Sequence, residues 1–432
     1  MIPMTLAETA DAVSGTLRLF GDDTPDTVVA GLVDTDSRLM EPGALFVAKP
    51  GDVTDGHRFV GAAAAAGAAA AIVEHPVDEP ITQIVVADAV RALADLARVV
   101  VARVRERGDL QIVGITGSNG KTTTKNLLAR ILQDEGETVA PRNSYNNEVG
   151  APVTMLRVTP STRYLVSEFG ASRIGRIAEL AGLVTPDIGA VLMVGLAHAG
   201  GFGGVEATQK AKTELVEAVR AGGTAVLNAD DPRVAAMARV AEERGVAVRW
   251  FGRSTAAEVR ADDVEVTSSG TTCTVVVGEE RHPLALRVLG EHHVMNALAA
   301  IAIAEVLGVP VATSITRLET VEIAEPGQRK VAVLGAMSEL GEYAGEEHDR
   351  VGLLAVRLRF ERIVVVGSAA RRLYLAAIGE GSWDGEAVFF ETQDEAFDYL
   401  RTELRDGDRV LVKSSNSAGL RHLGDRLGES FS

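Results

Sequence analysis

The stretch ITGSNGKTTTKNLL, residues 115–128, decides how the rest of the chain is interpreted. An apolar strand, LQIVGIT, leads into it, and TTTKNLLARIL has the periodicity of a helix leading out. A glycine-rich turn between a buried strand and a helix directs backbone N–H groups outward, and the helix start adds partial positive charge. The stretch therefore predicts a phosphate-binding loop, although its glycines lie closer together than in the G-x-x-x-x-G-K-[ST] pattern.

Each residue of this loop has an expected task. The glycines would permit the tight path of the backbone, Lys121 would reach the β- and γ-phosphates, and Thr122 would hold Mg²⁺. A glycine-rich turn with a surface lysine is the alternative. The predicted nucleotide-binding residues are Gly117, Ser118, Asn119, Gly120, Lys121, Thr122 and Thr123.

Length and charge limit the classes of protein that this chain can represent. Its 432 residues are too many for one core. The net charge of −17 argues against a nucleic-acid-binding protein, which usually presents a basic surface. The single cysteine, Cys273, cannot form an internal disulfide, which favours a reducing compartment. The sequence shows no signal peptide and no stretch fit to span a bilayer, so we expect a cytoplasmic protein without stable membrane insertion. We also expect it to act as a monomer.

Alternating strands and helices predict an α/β fold in three domains. Residues 1–108 mix short strands with helices; RFVGAAAAAGAAA (58–70) is interpreted as a closely packed helix and AIVE (71–74) as the strand that follows it. Residues 109–312 form a central unit with a mainly parallel sheet, as in phosphate-loop ATPases. Residues 313–432 repeat the alternation and form a smaller Rossmann-like unit.

Further polar residues follow predicted strands, at the edge where open α/β sheets bind ligands. Glu168 ends the strand RYLVSE, and an acid beside a phosphate loop is a natural Mg²⁺ ligand. His198 follows another strand in a glycine-rich loop, where phosphate or metal contact competes with a structural role. Asn146 and Asn147 belong to NSYNNEVG, whose amides suit a polar substrate; an Asn-rich turn is the alternative.

Several motifs together resemble the Mur ligase family. They are TGSNGKTTTKNLL, NSYNNEVGAPVTMLR, SEFGASRIGRI, GLAHAGGFGG with QKAKTEL, NADDP and GEHHVMNALAA, in this order. The family contains ATP-dependent amino-acid or peptide ligases of peptidoglycan precursor synthesis. Its own short form of the phosphate loop accounts for the unusual glycine spacing.

Within the family, NNEVGAPVTML, AVLGAMSELGE and LVKSSNSAG are similar to the enzyme that adds D-alanyl-D-alanine to UDP-N-acetylmuramoyl-tripeptide. The segments DTDSR, GALFVAKPG and DGHRF resemble a UDP-binding domain shared with the ligase that adds the third residue. That sister enzyme usually carries an Asp-Asn-Pro-Arg motif, which this sequence lacks. The resemblance implies two partners, the tripeptide nucleotide and D-alanyl-D-alanine, joined through an acyl phosphate made from ATP.

The resemblance also implies roles for individual residues. Lys121, Glu168, His198 and Lys212 would be catalytic, and the last three would join Thr122 at the metal site. Lys212 in KAKTEL matches a lysine that CO₂ carbamylates, so that it can bind a second Mg²⁺. Asn296 would contact the adenine side of ATP. Predicted substrate-binding residues are Ser37 and Arg38 for the uridine nucleotide, Asn146 and Asn147, and His348 and Lys413 on the last domain.

The join between the middle and last domains departs from the family pattern. Members carry an additional stretch there, with an Asp-Asp/Asn-Asp-x-Tyr-Asn-Ala-Asn-Pro motif, and the last domain here lacks that motif and its first strand. One explanation predicts a chain break between about Ala312 and Thr320. The other is a genuine deletion, which favours a catalytically dead nucleotide-binding homologue. Other members, namely the third-residue-adding ligase and folylpolyglutamate synthetase, are further alternatives.

Overall fold

Three sheets, each built largely from parallel strands, organise the chain. The structure is a computed structural model that describes every residue except 52–53, 142–144, 196–203, 268–269, 289, 322–328, 339, 359, 380–386 and 432. The sheets have five, nine and four strands and follow one another along the sequence. The predicted α/β class and three-domain architecture are confirmed.

The five-stranded sheet of the N-terminal unit has the order β2-β7-β6-β5-β4, in which only β2 is antiparallel. A two-stranded ribbon, β1-β3, lies beside it. The strands are β1 (Met4–Thr5), β2 (Thr16–Arg18), β3 (Val28–Val29), β4 (Val33–Asp34), β5 (Leu45–Val47), β6 (Ala70–Val73) and β7 (Thr82–Val85). The helices are α1 (Leu6–Ala12), α2 (Val60–Ala65) and α3 (Ala89–Arg107).

The helix predicted over the alanine-rich run is shorter than expected, whereas the strand predicted after it is present. Helix α2 ends at Ala65, and Gly67 adopts a φ of +95°, a left-handed conformation that favours glycine and stops a helix. The rest of the run forms β6, whose four residues are fully buried between neighbouring strands. Alanine has no bulky side chain to mark one face, so a buried strand and a buried helix look alike in sequence.

The nine-stranded central sheet has the order β16-β15-β14-β13-β12-β11-β8-β10-β9, and only β15 runs opposite to the other strands. Its strands are β8 (Gln111–Thr116), β9 (Glu137–Val139), β10 (Thr162–Glu168), β11 (Ile188–Val191), β12 (Thr224–Asn228), β13 (Ala247–Gly252), β14 (Val259–Val266), β15 (Thr271–Val277) and β16 (Glu280–Leu286). Because β8 lies between β10 and β11, the strand order reverses there, and ligands of open α/β sheets bind at such a point.

Helices cover both faces of the central sheet, which explains why its parallel strands are continuous apolar runs. They are α4 (Lys121–Leu132), α5 (Gly150–Met155), α6 (Arg176–Gly182), α7 (Val205–Ala218), α8 (Pro232–Ala235), α9 (Ala238–Glu243), α10 (Glu291–Val306) and α11 (Val311–Leu318). Helix α10 packs against α4, the helix that begins at the phosphate loop.

The C-terminal unit is an all-parallel sheet of order β19-β18-β17-β20 with its own two apolar cores. Its strands are β17 (Lys330–Leu334), β18 (Arg362–Val366), β19 (Ala387–Phe390) and β20 (Arg409–Lys413). Its helices are α12 (Ala344–Arg357), α13 (Arg371–Gly379), α14 (Gln393–Glu403) and α15 (Leu420–Ser430). Among the described residues of the whole chain, no helix is long and apolar enough to cross a membrane.

The predicted chain break near the join is wrong. Helix α11 runs without interruption across this window, and Glu319 N donates to the carbonyl oxygen of Ile315 at 3.0 Å. Its Arg317 contacts the central unit, where it forms a 2.8 Å ion pair with Glu135. The chain is therefore continuous through the window in which the break was expected.

A shared apolar core and a buried carboxylate join the N-terminal unit to the central one. Side chains of α3 pack in the same cluster as residues of α5 and α6. Asp187, only 5% exposed, accepts hydrogen bonds from Arg105 of α3 at 2.6 Å and from the backbone N–H of Ile112 at 2.7 Å. Its other oxygen pairs with Arg220, just beyond α7. One carboxylate thus connects three elements of the first two units.

We predict that Asp187→Asn destabilises this junction. It would leave two arginines beside a buried neutral side chain, and breaking a buried ion pair costs about 3 kcal/mol. Urea unfolding should show a lower midpoint. Glu243→Gln, which removes one partner of the exposed Arg239–Glu243 pair, is the control and should leave the midpoint nearly unchanged. Equal midpoints for both variants would contradict the role of Asp187.

Candidate active site

The phosphate loop connects the central strand β8 to helix α4, as its sequence predicts. Gly120 precedes the helix with a φ of +87°. A Cβ atom at this position would lie 2.3 Å from Asn296 Oδ1. Gly120 is therefore required both for its left-handed backbone and for the close approach of α10.

Hydrogen bonds tie the loop to the segment that follows β11. Ser118 N donates to the carbonyl oxygen of Met193 at 3.0 Å, and Gly195 N donates to Ser118 Oγ at 2.8 Å. Ser118 is buried, whereas Asn119 is exposed at the tip. A Cβ on Gly117 would meet Leu192 at 2.9 Å. These bonds fix the path of the loop, and a fixed glycine-rich turn can present its remaining backbone N–H groups to an anion.

Lys121 is directed over the loop that precedes it. Its Nζ donates to the carbonyl oxygen of Gly117 at 2.7 Å. Burial lowers its pKa, the negative charge of Glu168 acts against this, and the positive charge of Lys413 lowers it further. The influence of Lys413 means that the end of β20, in the C-terminal unit, lies near the phosphate loop.

Glu168 is fully buried at the end of β10. Thr122 Oγ1 donates to its Oε2 at 3.1 Å, and Lys125 Nζ lies 3.6 Å from its Oε1. Burial raises the pKa of Glu168, while the charge of Lys125 and the Thr122 hydrogen bond act in the opposite direction. Oε1 accepts no hydrogen bond from the residues that the structure describes. A carboxylate oxygen and a neighbouring hydroxyl are donors that suit Mg²⁺.

Lys212 projects from α7 into the same region and is 4% exposed. Burial, together with the nearby charge of Lys121, lowers its pKa to about 7. Within the described part of the chain, its ammonium has no hydrogen bond or ion pair. A buried lysine next to another cation is an activated nucleophile, because a large fraction of it is neutral near pH 7.

The structure brings most of the predicted nucleotide residues together. Asn296, 8% exposed on α10, accepts a 3.4 Å hydrogen bond from Thr124 Oγ1 and lies directly against Gly120. Thr123 is partly exposed in the first turn of α4. The predicted metal residue His198 lies outside the described residues, so its role stays a prediction.

Both predicted asparagines take part in hydrogen bonds with the main chain. The carbonyl oxygen of Asn146 accepts from Gly170 N at 3.0 Å, two residues beyond Glu168. Asn147 Oδ1 accepts from Gly150 N at 2.8 Å, at the start of α5. Both residues therefore fix the loop beside Glu168. Contact with a substrate stays a prediction.

The predicted uridine residues lie in a short turn after β4. The guanidinium of Arg38 forms a bidentate pair with Asp36, at 2.9 and 2.6 Å, and is largely exposed. Asp36 is the main cause of the raised pKa of Arg38, and Asp425 and Glu429 of α15 contribute less. The turn with Ser37 and Arg38 thus faces the last helix of the C-terminal unit.

On the C-terminal unit, the two predicted residues differ. His348 is 3% exposed; its Nε2 accepts from Met337 N at 3.0 Å, and its Nδ1 lies 2.5 Å from the carbonyl oxygen of Ala344. Because both ring nitrogens contact the main chain, the geometry does not support direct substrate contact and instead makes His348 a support for the loop after β17. Lys413 is exposed at the end of β20.

Two cavities open at the strand ends of the C-terminal sheet. One, of about 290 Å³, is lined by residues of β20 and α15, including Lys413 and Arg421. The other, of about 490 Å³, is lined by small and polar residues that follow the strands, including Ser338, Ser368 and Ser417. The larger one lies where open α/β sheets bind ligands.

Sequence reasoning missed two buried charged residues. Lys125 lies one turn after Lys121 and is completely buried beside Glu168. Glu214 of α7 accepts backbone hydrogen bonds from Gly175 at 2.5 Å and Ala178 at 3.0 Å, and so caps α6. A lysine inside KTTTKN and a glutamate inside KTEL look like solvated helix residues. Only their tertiary partners distinguish them.

Comparison with known proteins covers the whole chain. Three family descriptions match: the Mur ligase family catalytic domain at 31–107, the Mur ligase middle domain at 115–304, and the glutamate ligase domain at 311–416. A UDP-N-acetylmuramoyl-tripeptide--D-alanyl-D-alanine ligase of Mycobacterium tuberculosis is 38% identical over 99% of this chain and 98% of its own length. The chain belongs to the Mur ligase family. The Escherichia coli ligase of the same name is 31% identical over 100% of this chain and 99% of its own length.

Solved structures of family members have the same fold. MurF from Acinetobacter baumannii matches with a TM-score of 0.77 and 28% identity, over 99% of each chain. A MurF ligase from Thermotoga maritima, in complex with ADP, matches the fold with a TM-score of 0.68 at 24% identity, over 91% of this chain and 96% of its own. The alignment with the M. tuberculosis Mur ligase runs over 505 positions, more than the 432 residues here, so that relative contains residues that this chain lacks.

We predict that Gly120→Ala abolishes nucleotide binding. The new methyl group would collide with Asn296 and strain the left-handed backbone at the start of α4. Gly222→Ala is the matched control, because Gly222 has a φ of +74° with no atom within 4 Å of the added Cβ. It carries the same backbone strain without the collision. Calorimetric titration with ADP and Mg²⁺ should show binding to the control only; normal binding by Gly120→Ala would refute this geometry.

Proposed function

We propose that this protein is an ATP-dependent ligase that joins D-alanyl-D-alanine to UDP-N-acetylmuramoyl-tripeptide in peptidoglycan precursor synthesis. Two observations made together support the proposal. Full-length similarity to curated ligases of that name accompanies an intact phosphate loop, in which Lys121 and Thr122 lie beside the buried Glu168. Because ATP and nucleotide-linked precursors occur in the cytoplasm, we expect the protein to act there. We also expect it to act as a monomer.

The phosphate loop would bind ATP through the backbone N–H groups of Gly117, Asn119 and Gly120 and the ammonium of Lys121, whereas the Ser118 N–H is bonded to Met193. Asn296, beside Gly120, would lie toward the nucleoside. Thr122 and Glu168 would hold Mg²⁺, with His198 and Lys212 as further candidate ligands. When bound, Mg²⁺ would neutralise charge on the transferring phosphoryl group. Lys121 would contribute to the same stabilisation from the protein side.

The two substrates to be joined would approach from different units. The turn with Ser37 and Arg38 would bind the uridine nucleotide, and Asn146 and Asn147 would lie along the path of the peptide. The cavity of about 490 Å³ in the C-terminal unit suits a dipeptide. Its lining of small polar side chains offers hydrogen bonds for an amine and a carboxylate. Lys413 would be near the phosphates, given its influence on Lys121.

The chemistry would proceed in two transfers. The terminal carboxylate of the tripeptide attacks the γ-phosphorus of ATP, so that ADP leaves and an acyl phosphate forms. The amine of D-alanyl-D-alanine then attacks the acyl carbon, loses a proton, and expels inorganic phosphate to leave an amide. Because an acyl phosphate in bulk water hydrolyses, binding between units that exclude water would protect it.

The proposal is tested by measuring phosphate release with purified protein, ATP, Mg²⁺ and the tripeptide nucleotide. D-alanyl-D-alanine should stimulate release and yield the pentapeptide nucleotide by mass spectrometry. Lys121→Met should lower kcat about 10²- to 10³-fold, because a charge that stabilises the transferring phosphoryl group is lost. Lys210→Met, on an exposed lysine of α7, is the control and should leave kcat unchanged.

The alternatives give different results in the same assay. Stimulation by diaminopimelate or lysine with the dipeptide nucleotide would identify a third-residue-adding ligase. Stimulation by glutamate with a folate would identify a folylpolyglutamate synthetase. ADP binding without any ligation would identify a catalytically dead homologue. Each of these outcomes contradicts the proposed reaction.

We further propose that Lys212 is carbamylated. Its buried amine, with a pKa of about 7, would add CO₂ and become a carboxylate-bearing side chain beside Lys121. With ¹³C-bicarbonate, NMR should show a carbamate carbon that is absent from Lys212→Met and present in Lys210→Met. The neutral amine is the reactive form, so the signal should grow from about pH 6 to about pH 8, across the pKa. An identical signal in Lys212→Met would exclude this site.

A further inference from the structure

Lys125 is a fully buried lysine that no step above uses. It lies on α4, one turn beyond Lys121, and its side chain is 0% exposed. Its ammonium donates to the carbonyl oxygen of Pro141 and lies 3.6 Å from Glu168 Oε1, an ion-pair distance rather than a hydrogen bond. The Glu168 side chain is equally inaccessible to solvent.

Stability alone does not account for this arrangement. Transferring an ammonium and a carboxylate from water to a protein interior costs several kcal/mol for each ion, and their attraction only partly offsets it. Buried ion pairs replaced by apolar side chains of similar size often leave stability unchanged or higher. Apolar residues at both positions 125 and 168 would therefore fill the interior at least as well. The charge calls for another explanation.

The contacts of Lys125 connect three parts of the candidate active site. Thr122 and Lys125, on one helix, hold the two oxygens of Glu168. Pro141 begins the segment that continues to Asn146, and Asn146 in turn bonds Gly170, two residues after Glu168. Lys125 thus holds the main chain at Pro141, while the bond from Gly170 holds the main chain at Asn146.

We propose that Lys125 is a positioning residue, which orients the Glu168 carboxylate toward the cation of the bound nucleotide and holds the main chain at Pro141. This inference rests on the proposed function, because it takes Glu168 as a Mg²⁺ ligand. Lys125 itself touches neither the nucleotide nor the reacting atoms. Partners that orient a metal ligand typically change metal affinity or activity by about 10- to 100-fold when removed.

The test compares nucleotide binding with and without Mg²⁺ by calorimetry. Lys125→Met keeps the length of the side chain and removes its charge. In the wild type, Mg²⁺ should strengthen ADP binding, and Lys125→Met should weaken that Mg²⁺-dependent gain about 10- to 100-fold. Affinity for ADP without Mg²⁺ should stay within about twofold, because the loop backbone and Lys121 are untouched.

Two further variants separate positioning from packing. Lys125→Gln keeps a donor for Pro141 but removes the charge. It should lose the Mg²⁺-dependent gain in ADP affinity and keep the wild-type KM for the tripeptide nucleotide. Lys125→Met removes the donor as well and should raise that KM. Ile131→Val trims a fully buried side chain at the far end of α4 and should lower the melting temperature without changing the Mg²⁺-dependent gain. Lys125→Met should also melt below the wild-type temperature, because it leaves the buried Glu168 carboxylate without its partner.

The outcomes distinguish this inference from the proposed function. Wild-type-like Mg²⁺ dependence in both Lys125 variants would overturn the positioning role while leaving the ligase proposal intact. Loss of Mg²⁺ dependence in Ile131→Val as well would reduce Lys125 to a packing residue and would also overturn it. A wild type that binds no Mg²⁺-ADP would overturn both proposals. Should Lys125→Met fail to fold, Lys125→Gln alone decides the outcome.

Discussion

A carboxylate buried beneath the phosphate loop is the constraint around which the central unit is arranged. Glu168 has no contact with solvent, so the free energy of keeping it there depends on the groups that face it. These are the hydroxyl of Thr122 and the ammonium of Lys125, both on α4. The helix that begins at the phosphate loop therefore also supplies the electrostatic support for the acid opposite it. The residues proposed for phosphate binding and for metal binding therefore share one structural element.

The three units differ in how they are packed together. The N-terminal and central units share an apolar core, and Asp187 ties α3 to β8 and to the end of α7. The C-terminal unit has its own cores and meets the site through surface charges such as Lys413. A ligase that must admit three substrates and then exclude water needs such a division.

The sequence predicts the elements that local patterns encode. Glycine spacing and the change from a strand-like to a helical period of apolar residues predict the phosphate loop, the limits of strand β8 and the role of Gly120. The predicted end of the helix in the alanine-rich run is wrong because alanine side chains give no periodic signal. A left-handed glycine, Gly67, decides where the helix stops. Lys125, Asp187 and Glu214 are invisible in sequence for a different reason. Their importance comes from partners 16 to 82 positions away, which only the folded chain brings together.

The residues proposed to bind phosphate and those proposed for the transfer to the amine lie in different units. The backbone and side chains proposed to bind phosphate come from β8, α4, β10 and α10, all in the central unit, and α11 packs against α4 without a break. The proposed dipeptide cavity and Lys413 belong to the C-terminal unit instead. The proposed transfer to the amine therefore depends on contact between the two units, which binding of the phosphates within the central unit does not require.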